Sequence, residues 1–166
     1  MRRFKRILLA EDDLNDIELM LTALADHNLA NEVDVVRDGE EALDYLFCRK
    51  AYANRTSGAP AAVLLDIKMP KVDGLEVLRQ IRADANMRLL PVVVLTSSRE
   101  ERDLLRSYLL GVNAYVVKPV DFEAFATAIK QVGMFWAVVN ESPPCGTTTD
   151  QQQPARDSTS EQVEPQ

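Results

Sequence analysis

Histidine, cysteine and net positive charge are all scarce in this chain of 166 residues, which has two cysteines, one histidine and a net charge of −7. Cys48 and Cys145 are too few and too far apart for a disulfide framework or a zinc motif. Read as reduced thiols, they suit a cytoplasmic protein. His27 falls near the end of the first expected helix, where a cation is favourable, and takes no ligand role. A nucleic-acid surface needs a basic patch, which the charge balance argues against. No apolar run is long enough to span a membrane, so no membrane partner is expected. The basic opening Met1-Arg2-Arg3-Phe4-Lys5-Arg6 precedes only Ile7-Leu8-Leu9-Ala10 before Glu11, too short an apolar stretch for an export signal.

The apolar residues present are patterned. Short apolar runs alternate with longer helical periods, which predicts βαβ units and a parallel sheet. Strands are expected near Arg6–Ala10, Val33–Val36, up to Asp66, after Pro91, and up to Lys118. Helix one carries a stripe of Leu14, Ile17, Leu21 and Leu24, and helix two carries Ala42, Leu43, Leu46 and Phe47. Asp38, Asp73 and Asp121 stand where helix caps are needed. Helix four runs from about Arg99 to Leu110, with Gly111 as its stop. From about Glu141, Pro, Gln, Thr and Ser replace apolar residues. Such a segment cannot bury enough surface to offset its ordering entropy. The reading is therefore one domain over residues 1–140 and a disordered polar tail over 141–166.

Four apolar runs end in chemically useful residues: Glu11-Asp12, Asp66, Thr96-Ser97 and Lys118-Pro119. A carboxylate at the tip of a buried strand is costly without a partner. If the strands are parallel, one crevice holds Glu11, Asp12, Asp66, a hydroxyl and an ammonium. That set suits a divalent metal and a transferred phosphoryl group. Asp13 reads as a helix cap.

These residues, with Asp66 to Pro70 as D-x-x-M-P and Asp73-Gly74, resemble the receiver domain of two-component response regulators over about Arg6 to Val139. The resemblance implies a doubly wound, flavodoxin-like (βα)5 α/β sandwich, with five parallel strands in order 2-1-3-4-5. It implies Asp66 as phosphoacceptor, with Thr96 and Lys118 completing the catalytic set. Mg2+ would be held by Glu11 through water, by Asp12 and Asp66, and by the backbone carbonyl of Lys68. Thr96 and Tyr115 would form the switch, and Lys118-Pro119 a cis bond that aims the lysine. Tyr115 also reads as an amphipathic core aromatic with its hydroxyl in water. With a single histidine in helix one, the phosphoryl donor must be another protein or a small molecule.

No residue after 140 looks able to form an output domain, so the expected function is a stand-alone response regulator of a two-component phosphorelay. It would accept a phosphoryl group from a histidine kinase and answer by changing partner binding or dimerisation. It would be no enzyme beyond its own phosphorylation and dephosphorylation. The Tyr52-Ala53 loop and Phe135-Trp136 resemble response regulators paired with phytochrome-type kinases. The alternative is a pseudo-receiver, unphosphorylated and used as a scaffold. A haloacid-dehalogenase-type phosphatase needs a second acid where Lys68 stands, and a flavodoxin-like phosphate loop conflicts with Glu11-Asp12-Asp13.

Helix four carries Leu104, Leu105, Tyr108, Leu109 and Leu110. The last helix has a stripe of Phe122, Phe125, Ile129, Val132 and Trp136, with Phe135, Val138 and Val139 off it. A small domain cannot bury both faces of two helices, and surplus apolar surface marks an interface. The expectation is a homodimer through helix 4, strand 5 and helix 5, with Phe135 and Trp136 near its centre. The end of the last helix folding back on its own core is the alternative.

Overall fold

The computed structural model describes residues 5–25, 29 and 32–143. His27, Cys145 and positions 144–166 of the expected tail lie outside the described residues. Strands and helices alternate: β1 (Ile7–Ala10), α1 (Leu14–Ala25), β2 (Val33–Val36), α2 (Gly39–Leu46), β3 (Ala62–Leu65), α3 (Gly74–Ala83), β4 (Val92–Thr96), α4 (Glu101–Leu109), β5 (Ala114–Val117) and α5 (Phe122–Met134). A 3-10 turn, Lys50–Tyr52, follows α2, and a π-helical turn, Phe135–Val139, prolongs α5. All strand pairs are parallel, in the order β2-β1-β3-β4-β5. This is the expected doubly wound α/β fold, with every strand ending at the same edge of the sheet.

Side chains alternate between the faces of a strand, so each central strand feeds two cores. Leu8, Ala10, Val63, Leu65, Val92 and Val94 pack with α2 and α3 on one face. Ile7, Leu9, Leu64, Val93 and Leu95 pack with α1 and α5 on the other. The strands β1, β3 and β4 are buried throughout, while β5 is only half-buried along its length. Helix starts follow the predicted cap chemistry. Asp38, Asp73 and Asp121 accept hydrogen bonds from the backbone N–H of Glu41, Glu76 and Ala124. Gly111, at φ 79°, ends α4 with its N–H on the Tyr108 carbonyl, and Val112 N–H reaches Ser107.

The stripes of two helices differ from the sequence reading. In α1, Ile17, Met20, Ala23 and Leu24 face inward, and Leu14 is exposed. In α5, Phe125, Ile129 and Gly133 are buried, followed by Ala137, while Phe122 is exposed and Trp136 half-buried. The cause is close approach: a Cβ on Gly133 would lie 2.4 Å from Leu24 of α1, so the small face turns inward. The view that no segment is long enough to cross a membrane also needs correction. With the π turn, α5 becomes one helix, Phe122–Val139, of 18 residues and mean hydropathy 1.2. Length and composition alone make it eligible, but this helix packs Phe125, Ile129 and Ala137 into the core and forms a wall of the domain.

Helix α4 is inverted relative to an ordinary amphipathic helix. Its buried residues are Asp103 and Ser107. Its apolar residues Leu104, Leu105, Tyr108 and Leu109 are exposed. A polar contact ties it to the end of β4: Ser98 Oγ donates to Asp103 Oδ2 at 2.7 Å, while Ser107 Oγ donates within the helix to the Asp103 carbonyl at 2.8 Å.

Candidate functional site

The parallel sheet brings the four strand tips together. Backbone bonds carry the ladder to the last functional residues. Glu11 N–H donates to the Val36 carbonyl, Asp66 N–H to Ala10, and Lys118 N–H to Thr96. These bonds tie three of the tips to their neighbouring strands. Glu11 and Thr96 are fully buried, and Asp66 nearly so.

One carboxylate oxygen from each of Glu11, Asp12 and Asp66 falls within 4.8 Å of the others. Burial raises the Asp66 carboxyl above its ordinary pKa, opposed by the nearby Lys118 charge and by hydrogen bonds from Thr96 and the Ile67 N–H. Burial also raises Glu11, opposed by its hydrogen bond from Lys118 and reinforced by the charge of Asp66. Carboxylates that resist ionisation need positive charge nearby, and a divalent cation with oxygen ligands supplies it. The donor set is all oxygen, which fits Mg2+ or Mn2+. Lys68 follows in the β3–α3 turn with its side chain exposed.

Lys118 is the positive pole. Its Nζ donates to Glu11 Oε2 at 2.5 Å and to Asp16 Oδ2 at 2.7 Å, and lies 3.8 Å from Asp66 Oδ2. Burial opposes its charge, but the hydrogen bonds to Asp16 and Glu11, together with the negative charges of Asp66 and Glu11, raise its pKa. The expected cis bond before Pro119 is not found; no cis peptide bond occurs among the described residues. The ladder bond from Lys118 N–H to Thr96 already directs the residue at the crevice, and its long side chain reaches the carboxylates from a trans backbone.

Asp13 caps α1, accepting from the N–H groups of Asn15 at 2.8 Å and Asp16 at 3.2 Å. Thr96 Oγ1 accepts from Ser98 N–H at 3.2 Å. Tyr115 packs against the core on the α3 side and donates to the Ser98 carbonyl at 3.1 Å. Its hydroxyl has a protein partner, where one reading placed it in water. Phe135 and Trp136 touch edge to face, with ring centroids 5.0 Å apart, at the far end of α5 from Lys118. A cavity of about 530 Å3 lies at the opposite edge of the sheet, lined by Lys5, Pro60, Leu89, Leu90 and Pro91. It contains none of these carboxylates, which lie at the other edge of the sheet.

The sequence reading did not place Asp16 at the site, where it meets Lys118. The Ser98–Asp103 bond carried no recognisable pattern.

The response regulator receiver domain profile matches residues 7–130. The structure of the bacteriophytochrome response regulator AtBRR is 59% identical, covering 84% of this chain and 100% of that chain, with a TM-score of 0.67. The phosphorylated cyanobacterial phytochrome response regulator RcpA is 40% identical, covering 85% of this chain and 99% of that chain, with a TM-score of 0.79. Response regulator Rcp1 of Synechocystis sp. is 36% identical over 132 residues, 80% of this chain and 88% of the relative. A Mn(2+)-bound form of Rcp1 matches with 35% identity, 84% and 99% coverage, and a TM-score of 0.77. Sheet order, strand-tip residues and profile agree: the chain belongs to the response regulator receiver domain family, and its relatives include phytochrome response regulators.

Proposed function

We propose that the chain is a stand-alone response regulator that accepts a phosphoryl group on Asp66 from a partner histidine kinase, in a Mg2+-dependent reaction. One observation carries this reading: Asp66 sits buried beside Glu11 and Asp12, with the Lys118 ammonium 3.8 Å away. An Asp66 oxygen attacks phosphorus, a P–O bond forms, and the P–N bond to the donor imidazole breaks. Lys118 and the Thr96 hydroxyl stabilise the charge spread over the phosphoryl oxygens. Asp12, Asp66 and the Lys68 carbonyl would hold the metal directly, and Glu11 through water; bound there, it supplies further charge neutralisation. Residues 1–140 act as the receiver and 141–166 as a tail. The likeness to phytochrome response regulators, and the near-full coverage of RcpA, support a phytochrome-type kinase as partner and an output through altered partner binding or dimerisation.

The test is intact-mass measurement after incubation with acetyl phosphate or a phosphorylated kinase. Wild type gains one phosphoryl group, and Asp66→Asn gains none. Equal gain by both proteins would move the acceptor elsewhere.

A second measurement separates adjacent acids. Asp12→Ala is expected to weaken Mg2+ affinity at least tenfold, because a direct ligand loses charge and geometry together. Asp13→Ala leaves metal affinity unchanged and costs about 1 kcal/mol of stability as a lost cap. A titration with the reverse ranking places the metal one residue along the chain.

A further inference from the structure

Lys118 has three N–H donors and is almost fully buried, with 9% of its side chain exposed. Two donors go to Glu11 and Asp16, and Asp66 lies beyond hydrogen-bond distance. The two partners differ in freedom. Glu11 is 1% exposed, and its other oxygen accepts from the Asp13 N–H at 3.1 Å, so it is fixed on two sides. Asp16 is 29% exposed at the mouth of the crevice. It can exchange the lysine for water, and Glu11 cannot. A phosphoryl oxygen on Asp66 must then draw the ammonium chiefly away from Asp16.

We propose that Asp16 is a positioning residue: it holds the Lys118 ammonium off Asp66 at rest and competes with the phosphoryl group for it afterwards. This rests on Asp66 being the phosphoacceptor and adds a resident competitor to that reaction. Lys118 is an arm shared between the first turn of α1 and the acceptor. The strength of the Asp16 contact then sets how readily the phosphoryl group is taken up and retained.

The experiment compares wild type with Asp16→Asn, which keeps the side-chain shape and removes the charge. Asp16→Ser serves as a second variant if the first fails to fold. Phosphorylation by acetyl phosphate, followed by intact mass, is expected to run about fivefold faster in the variant, the scale of one partly exposed ion pair. The gain is expected to vanish in a Lys118→Ala background, because the effect passes through that ammonium. In metal-free protein, the NMR signal of the Lys118 ammonium is expected to shift on substitution. An unchanged rate, or an equal gain without Lys118, overturns the proposal. If wild type gains no phosphoryl group, the reading of Asp66 fails. The ammonium signal then decides the contact separately: a shift supports Asp16 as the holder of Lys118, and an unmoved signal removes it.

Discussion

Gly74→Ala is expected to abolish phosphorylation of Asp66 and to destabilise the domain by about 3 kcal/mol, at the upper end for an overpacked site. The reason is contact. A Cβ at Gly74 would lie 2.1 Å from the Asp66 carbonyl oxygen and 2.9 Å from the Ile67 Cα. Both neighbours are backbone, so no side chain can rotate away. The Gly74 N–H also donates to the Ile67 carbonyl at 2.8 Å, binding the start of α3 to the turn that carries the acceptor. Any relaxation of the clash therefore displaces Asp66 itself. Gly58→Ala is the control. Gly58 adopts φ 73°, but a Cβ there meets nothing within 4 Å, so the cost is backbone strain of about 1 kcal/mol in a loop away from the crevice. Chemical denaturation and intact-mass phosphorylation of both variants decide the matter. A Gly74→Ala protein as stable as the Gly58→Ala control and still phosphorylated would mean that the turn is soft.

The same contact explains why Asp73-Gly74 was informative in the sequence. The pair is a cap followed by a residue that must lack a side chain. Most of the fold was legible for similar local reasons. Buried parallel strands read as short apolar runs, and Asp38, Asp73, Asp121 and Gly111 announce helix ends through their own chemistry. The acid–hydroxyl–lysine set was legible because strand tips converge once the strands are parallel. Helix faces were less legible. The inward face of α5 depends on Gly133 meeting Leu24 across two elements, which no periodicity within α5 reports. The inverted packing of α4 depends on Asp103 finding Ser98. Apolar periodicity predicts the opposite face for that helix. Asp16 was overlooked because its partner lies 102 residues away in sequence.

Phe135→Asp is expected to weaken self-association about thirtyfold, the scale of one aromatic anchor at an interface. The proposed two-fold contact uses α4, β5 and the end of α5. Several observations support it. Leu105, Tyr108 and Leu109 are 61%, 55% and 77% exposed on α4, and Phe135 and Val139 are 47% and 64% exposed beyond α5. The strand β5 is a half-exposed edge next to them. Phe135 and Val139 stay exposed, while Ala137 is buried and Trp136 and Val138 pack on the domain's own core, so this turn folds back in part, as the competing view held, and Phe135 is the aromatic left for the contact. Two-fold symmetry would cover the same patch on both chains and close the assembly. A short chain of hydrogen bonds links Thr96 to this face. Ser98 N–H donates to Thr96, Ser98 Oγ donates to Asp103 of α4, and the Tyr115 hydroxyl donates to the Ser98 carbonyl. If Thr96 moves toward a phosphoryl oxygen, the Ser98 bonds are disturbed and α4 with them. Because α4 buries only Asp103 and Ser107 along its length, its displacement costs little apolar burial. A tenfold change in dimer affinity on phosphorylation requires only about 1.4 kcal/mol. Sedimentation of wild type and Phe135→Asp, with and without acetyl phosphate, measures both effects. A folded variant that dimerises like wild type places the contact elsewhere. A wild-type dimer indifferent to phosphorylation uncouples this face from Thr96.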